Sequence, residues 1–381
     1  MIKIGFIGTV SKEWMGGLNY FKNLLYALDS INSKELKIFF FTGMKTDPDL
    51  KMLFNKHATV IEDSIFDRMS FMWLLMKIEQ KIFKSNFILE KTLKKYDIQI
   101  LSHSFLTDFK NIKTINWIPD FQHIHLPEMF SKQEIEQRNT SFMKVVKNSD
   151  LLIVSSADAL KDFESFAPDY TQKVRVLKFV SQPDYKYLAM NQDDIDELKS
   201  KYQISNEFFY MPNQYWKHKN HMIVLEAINE LKKEDFDINL ICSGHLSDYR
   251  NKSHIEDIKN YILTNDLNSN IKLLGLIDYS DVFGLIQMSK GVINPSLFEG
   301  WSSTVEECKS INKNMILSDL RVHEEQYPSA TFFDKHDVES LKVVLKNFKK
   351  SESKLDLDLL KNRTKQFALS YIEISKELVQ N

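Results

Sequence analysis

Short apolar runs alternate along this chain with longer segments of helical period, and the alternation starts afresh midway, which leaves few architectures open. An apolar run without two-residue alternation suits a strand buried on both faces, as in parallel sheets sandwiched between helices. In the first half such runs fall at residues 2–7, 36–41, 98–101, 115–118 and 151–154. In the second half "EFFYMPN" (207–213), "INLICSG" (238–244), "IKLLGLI" (271–277), "GVINPS" (291–296) and "MILSD" (315–319) predict strands, and "HMIVLEAINELKKE" (221–234) a helix. A chain of 381 residues exceeds the roughly 250 that one core usually serves, and 43% hydrophobic content suffices for two cores. The expected fold is α/β, with two doubly wound Rossmann-like domains and a hinge in the polar, acidic stretch 182–200 around Pro183.

Charge and cysteine content narrow the function. Fifty basic against 52 acidic residues give a net charge of −2, without the basic excess that binding nucleic acid favours. Cys242 in a strand-like run and Cys308 in a helix-like one supply neither a disulfide framework nor a zinc cluster. The apolar stretch in "MIKIGFIG" is too short for a signal peptide, and no run reaches the ~18 residues of a spanning helix. A cytoplasmic protein is expected, soluble or peripheral at the inner face of the membrane.

Ligands of doubly wound sheets bind at the carboxyl ends of strands, where loops enter helices. Three such loops stand out. In "GTVSKEWMGGLNYFKNLL" (8–25), Gly16 and Gly17 allow close approach of backbone to a ligand, or serve only a tight turn; both readings stay open. No G-x-G-x-x-G follows the strand, which argues against a dinucleotide. In "PNQYWKHKNHM" (212–222), Lys217, His218, Lys219 and His221 crowd a helix start whose dipole is already positive. A bound phosphate resolves that conflict, and a solvated basic turn is the alternative.

The third loop is "NPSLFEGWSSTVEECKS" (294–310). Ser303 and Glu306 match a capping box, which gives Glu306 a structural task. Glu299 stays in the loop and Glu307 lies one turn into the helix, where both can accept hydrogen bonds from the hydroxyls of a ligand. The ligand's diphosphate would rest on the N–H groups of Ser302 to Val305.

Taken together these stretches resemble the retaining glycosyltransferases of the GT-B fold, family 4. Members carry two glutamates eight residues apart across a glycine-bearing loop, as in "EGWSSTVEE" (299–307). The likeness continues through the glycine pair after the first strand, "WIPDFQHIHLPEMFS" (117–131) with Arg138 downstream, "VSSADALKDF", "QYWKHKNH", "ICSG", "LLGLI" and "INPSLFEGW". The resemblance implies domains at 1–185, acceptor-side, and 186–363, holding the nucleotide sugar, with 364–381 a helix returning to the first. By the same likeness Lys219 binds the diphosphate, Glu307 the ribose and Glu299 the transferred sugar, with Gly300, Trp301, Ser302, Ser303 and Thr304 supplying backbone donors. Gly275 and Leu276 meet the nucleobase, and Gly244 lets a strand end approach the nucleotide. Gly16 and Gly17 close over the diphosphate, and His123, preferred to the alternative His125, lies by the sugar with Asp120 nearby. Many relatives have an arginine where Asn213 and Gln214 stand here, and a Phe-Gly-Leu where Trp301, Ser302 and Ser303 stand.

The reaction so implied takes a UDP or GDP sugar as donor and needs no metal or other cofactor. The D-x-D triplets at Asp235/Asp237 and Asp356/Asp358 read as solvated surface. The acceptor is a glycan or a lipid-linked oligosaccharide of surface polysaccharide or lipopolysaccharide synthesis, in a chain whose Lys-, Asn- and Ile-rich composition suits an AT-rich bacterial genome. Residues 68–95, apolar and lysine-rich at helical spacing, form either a helix resting on an anionic membrane or a core-facing helix with a solvated basic face. Two rivals stand beside this function: a sugar-nucleotide 2-epimerase of the same fold, and an inactive subunit that binds nucleotide sugar.

Overall fold

The computed structural model describes residues 1–8, 15–183, 186, 190–246, 248, 251, 253–350 and 355–380, the side chain of Met15 excepted. Residues 9–14 of the first glycine-bearing loop, and 184–185 and 187–189 of the expected hinge, lie outside them. The chain divides into two compact units. Met1–Ile124, Ser131–Val180 and Asp358–Asn381 make the first, and His125–Phe130 with Ser181–Leu357 the second.

The first unit is built on seven strands, β1 (Ile2–Ile7), β2 (Leu36–Thr42), β3 (Thr59–Glu62), β4 (Ile100–Ser102), β5 (Lys113–Trp117), β6 (Leu151–Val154) and β7 (Val174–Val176). They pair in parallel throughout, in the order β3-β2-β1-β4-β5-β6-β7. Ile4, Phe6, Leu101 and Leu152 are sealed from solvent, as a sheet covered on both faces requires. β4 starts later than its apolar run, because Asp97 adopts a left-handed φ of 56° and Ile98 enters the core ahead of the ladder. The edge strands β3 and β7 carry no recognisable apolar run: each pairs on one side only and keeps part of its surface exposed.

The last helix, Leu357–Gln380, belongs to this unit almost entirely. Tyr371 Oη donates to Ser102 Oγ (2.8 Å) at the end of β4, and Arg175 Nε to Glu377 Oε2 (3.0 Å). Phe367 packs its ring edge-on to Tyr20. The return helix expected from sequence is thus present and starts earlier, at Leu357.

The second unit repeats the plan with six parallel strands, β8 (Phe209–Met211), β9 (Leu240–Cys242), β10 (Ile271–Leu273), β11 (Val292–Asn294), β12 (Met315–Ser318) and β13 (Thr331–Phe333). Their order is β10-β9-β8-β11-β12-β13. Strand alternation divides the core: Phe209, Met211 and Leu240 pack with Val224 and Ile228, while Tyr210, Ile241 and Val292 pack with Phe283 and Val305. Neighbouring order reverses between β8 and β11, so a crevice is expected beyond their carboxyl ends. Among the described residues no helix is long and apolar enough to cross a membrane.

Candidate functional site

The loops leaving β8 and β11 meet beyond that reversal. After Met211 the chain runs extended to Trp216, makes one tight turn over Lys217–Lys219, and reverses through Asn220, at a left-handed φ of 54°, into the helix His221–Lys233. After Asn294 it passes Pro295 and Glu299 to Ser302, whose hydroxyl caps the helix Ser303–Ser310. The Leu297 N–H donates to the His218 carbonyl (2.8 Å), which ties the two loops together. Lys219 Nζ then reaches Glu299 Oε1 at 2.6 Å, and Ser296 Oγ donates to the same oxygen at 2.7 Å.

This ion pair is largely withdrawn from water, with side chains 15% and 9% exposed. Burial alone would raise the Glu299 carboxyl, but the Lys219 charge, the field of His323 and the two hydrogen bonds hold it at about 2. Glu299 is therefore charged at neutral pH.

Beneath the pair lies a buried amide and hydroxyl lattice. Asn294 Nδ2 donates to Ser302 Oγ (2.9 Å), and Asn294 Oδ1 accepts from Asn213 Nδ2 (3.2 Å) and shares the single Ser296 Oγ proton (2.7 Å) with Glu299. Thr304 Oγ1 donates to Asn213 Oδ1 (3.2 Å). Asn213 and Thr304 thereby hold the two loops to each other.

The helix start differs from the sequence reading. Ser302, not Ser303, is the N-cap, so the third helical position is Val305 and no capping box forms. Glu306 is still structural, through other partners: fully buried, its Oε1 accepts from Gln326 Nε2 (3.1 Å) and Lys309 Nζ (3.3 Å). Gln326 also brackets Ser302, accepting from its N–H (3.0 Å) and donating to its carbonyl (2.8 Å). The Val305 N–H is turned to Ser302 Oγ, so Ser303 and Thr304 are the first-turn donors outside these bonds. Glu307, also buried, accepts from Tyr279 Oη at 2.9 Å.

Further along the same sheet edge, Gly244 has a φ of 149°, and a Cβ there would stand 2.4 Å from the Asn213 carbonyl oxygen. Only glycine lets the ends of β8 and β9 come so close. Its N–H donates to the carbonyl of Gly275 (2.8 Å), itself at a φ of 69°, and next to it Leu276 is exposed. Gln214 and Trp301 are half-buried; Lys309 Nζ lies 5.9 Å from the Trp301 ring.

In the first unit, Gly16 is exposed and Gly17 buried in the opening turn of the helix Met15–Ser30. Asp120 is half-buried and its Oδ1 accepts from the Gln122 N–H (2.9 Å) ahead of the helix Gln122–His125. His123 is buried, with Nε2 2.9 Å from Asn139 Oδ1 and its ring edge-on to Phe142. His125 falls in the stretch belonging to the second unit, where its exposed ring stands 5.1 Å from that of Phe298. Among the described residues no group of three or more His, Cys, Asp or Glu is placed to hold a metal ion. Cys242 and Cys308 are both buried, free thiols.

Several supporting residues escaped the sequence reading: Asn294, Ser296, Tyr279, Gln326 and His323. The last is fully buried on the helix Arg321–Gln326 and its Nδ1 is 3.0 Å from the Ser318 carbonyl. Burial lowers its pKa against the pull of Glu299. The signal for His323 and Gln326 was topological, since both follow the carboxyl end of β12, next to β11, whose following loop carries Glu299.

Two doubly wound parallel sheets, with the last helix packed back on the first unit, are the GT-B architecture. Residues 194–366, a little under half of the chain, match the family model Glycosyl transferases group 1, so the second unit carries a glycosyltransferase domain. Solved structures with the same fold span the whole chain. A glycosyltransferase from Rickettsia africae ESF-5 is 15% identical with a TM-score of 0.68, covering 100% of this chain and 99% of its own. Anabaena HepE in complex with UDP-glucose is 14% identical with a TM-score of 0.65 and the same coverage. WaaG, a glycosyltransferase involved in lipopolysaccharide biosynthesis, is 10% identical with a TM-score of 0.59, covering 99% of this chain and 98% of its own. No curated protein matches the sequence.

Proposed function

We propose that the protein is a retaining glycosyltransferase of family 4 that transfers a sugar from a UDP or GDP sugar to a glycan or lipid-linked oligosaccharide in bacterial surface-polysaccharide synthesis. The observation that carries this reading is the buried Lys219–Glu299 pair beside the N-terminus of the helix Ser303–Ser310. A cation and a ring of backbone donors converge there with a carboxylate, which is the equipment a nucleotide sugar's diphosphate and hydroxyls call for. HepE, which shares the fold, has been captured with UDP-glucose, and WaaG, another protein of this fold, acts in lipopolysaccharide biosynthesis.

Cleaving the bond between the anomeric carbon and the diphosphate leaves negative charge on the phosphate and positive charge on the sugar. Lys219 and the Ser303 and Thr304 N–H groups stabilise the departing diphosphate, each such donor being worth ~3 kcal/mol in a preorganised site. Glu299 accepts from sugar hydroxyls, and Glu307, oriented by Tyr279, from the ribose. Gly244, Gly275 and Leu276 lie along the base. The acceptor oxygen attacks on the face the phosphate leaves and passes its proton to a phosphate oxygen, so the configuration is retained. A role for Asp120 and His123 toward the sugar rests on the family resemblance. The residues as read demand no metal.

Nucleoside diphosphates screened by thermal shift identify the base, and the matching nucleotide sugars are then incubated with and without acceptor glycans. Transfer with retained configuration, abolished by Lys219→Ala in folded protein, is the expected result. Free equilibration of the donor sugar without acceptor would instead make the protein a 2-epimerase. Nucleotide binding with neither transfer nor slow donor hydrolysis would make it an inactive subunit, consistent with Asn213 and Gln214 standing in place of an arginine.

A further inference from the structure

The lysine-rich stretch 68–95 folds in the first unit as two helices, Phe71–Ile82 and Phe87–Lys94, rather than as one. They are separated by a turn in which Lys84 takes a left-handed φ of 47°. Every exposed residue in the stretch is either basic or a large apolar one. Phe71, Ile82, Phe83 and Phe87 are each about two-thirds exposed or more, at 74%, 65%, 73% and 66%. Met76, Leu89 and Leu93 fill the core instead.

The acidic residues are sorted the other way. The two glutamates of the stretch are both buried. Glu79 accepts from the N–H groups of Phe87 (2.5 Å) and Ile88 (2.9 Å), capping the second helix. Glu90 accepts from the N–H groups of Lys110 (3.1 Å) and Asn111 (3.2 Å). The outer face therefore presents cations and hydrocarbon with no exposed carboxylate, in a chain whose net charge is −2. Phe71, Ile78 and Ile82 share one side of the first helix, at i, i+7 and i+11, and Lys77, Lys81 and Lys84 run beside them.

The geometry points to this face as a docking surface for an anionic lipid bilayer. Phenylalanine and isoleucine side chains enter the boundary of the acyl region, while the lysines beside them reach lipid phosphates. Charge complementarity selects this occupant: a second copy would bring the same cations face to face. The inference deepens the proposal of a lipid-linked acceptor and rests on it for its purpose, but its test needs no sugar transfer.

The full chain is floated with vesicles of phosphatidylcholine alone or mixed with phosphatidylglycerol, at low and high salt. Binding is expected only with the anionic lipid and weakens with salt. The double variants Phe83→Ser/Phe87→Ser and Lys81→Glu/Lys84→Glu are expected to bind roughly tenfold less or weaker still, with melting temperatures and nucleoside-diphosphate binding as in the parent. Equal binding to neutral vesicles, or no binding to anionic ones, overturns the inference. So does a dimer in solution that the phenylalanine variant splits, since a second copy would then cover the face. Transfer to a soluble acceptor, measured separately, tells a failure of this surface from a failure of the proposed function.

Discussion

Replacing Glu299 by glutamine removes the charge of the buried pair while keeping its shape, and the structure sets the size of the effect. Lys219 Nζ lies 2.6 Å from the carboxylate in a site where the two side chains are 15% and 9% exposed. Breaking such a pair costs about 3–5 kcal/mol, because the remaining charge stays buried without its partner. The Glu299 carboxyl, held at about 2 and so well below the ordinary carboxylate range, gives the same scale, about 3 kcal/mol. Glu299→Gln should therefore destabilise the second unit by about 3 kcal/mol, read by urea titration of the fluorescence of Trp216 and Trp301. A nucleoside diphosphate should restore much of the loss, because its phosphates satisfy the stranded Lys219, and ligand binding to the folded state adds stability by mass action. UDP or GDP should thus stabilise Glu299→Gln more than the parent, even though transfer is lost. If saturating diphosphate raises the stability of both proteins equally, Lys219 does not meet the phosphate and the site has been misread. If Glu299→Gln leaves stability unchanged, the pair is not the buried contact described here.

Gly244→Ala puts a Cβ 2.4 Å from the Asn213 carbonyl oxygen at a φ of 149°, so backbone must move; about 3 kcal/mol of stability and much of the nucleotide affinity should go, measured by denaturation and thermal shift. Glu306→Ala should cost about 2–3 kcal/mol by stripping partners from buried Gln326 and Lys309, yet leave the KM for donor unchanged in protein that remains folded. Glu307→Gln should do the reverse, and equal kinetic losses in both would contradict the division of tasks. Burial holds both His103 and His221 at about 3, one in each unit. Unfolded chain takes up protons below pH 6.5 while the folded chain does not, so stability is complete above 6.5 and falls as pH drops from there towards 3. Urea titrations at pH 7.5 and 5.5 should differ by about 1 kcal/mol for the first unit and by more for the second, where burial also lowers His254 and His323, and His103→Phe should flatten the slope of the first unit alone. A pH-independent midpoint across that window would show that these rings are not buried neutral.

Central strands were legible because each is buried on both faces and reads as a nearly continuous apolar run; β1, β6, β9 and β12 show this plainly. Of the four edge strands β10 was legible in "IKLLGLI", whereas β3, β7 and β13 were not, because a strand paired on one side can do with fewer apolar residues and "VRV" or "TVIE" carries no period of its own. In the second unit the placement of Lys219 just ahead of a helix, and of Glu299 in a loop with Glu307 in the helix after it, was similarly legible. What could not be read was anything decided by one bond of register. Ser302 and Ser303 are equal candidates for a cap, and the choice fell to Ser302 because Gln326, from a helix two elements later, grips its backbone on both sides.

The stretch 68–95 shows the same limit from the other direction. Its apolar residues at helical spacing fit a core-facing helix as well as an interfacial one, since periodicity reports that a face exists and not what covers it. The proposed bilayer contact leans on the two glutamates: a stretch with only a solvated face would carry exposed carboxylates among its lysines. Both are buried instead: Glu79 accepts from the N–H groups of Phe87 and Ile88, and Glu90 accepts from those of Lys110 and Asn111 while also pairing with Lys94 (3.0 Å). Phe71, Phe83 and Phe87 lie outside, in the same stretch as the exposed lysines. Burying carboxylates while exposing hydrocarbon costs stability in water, a cost that the proposed bilayer contact would offset.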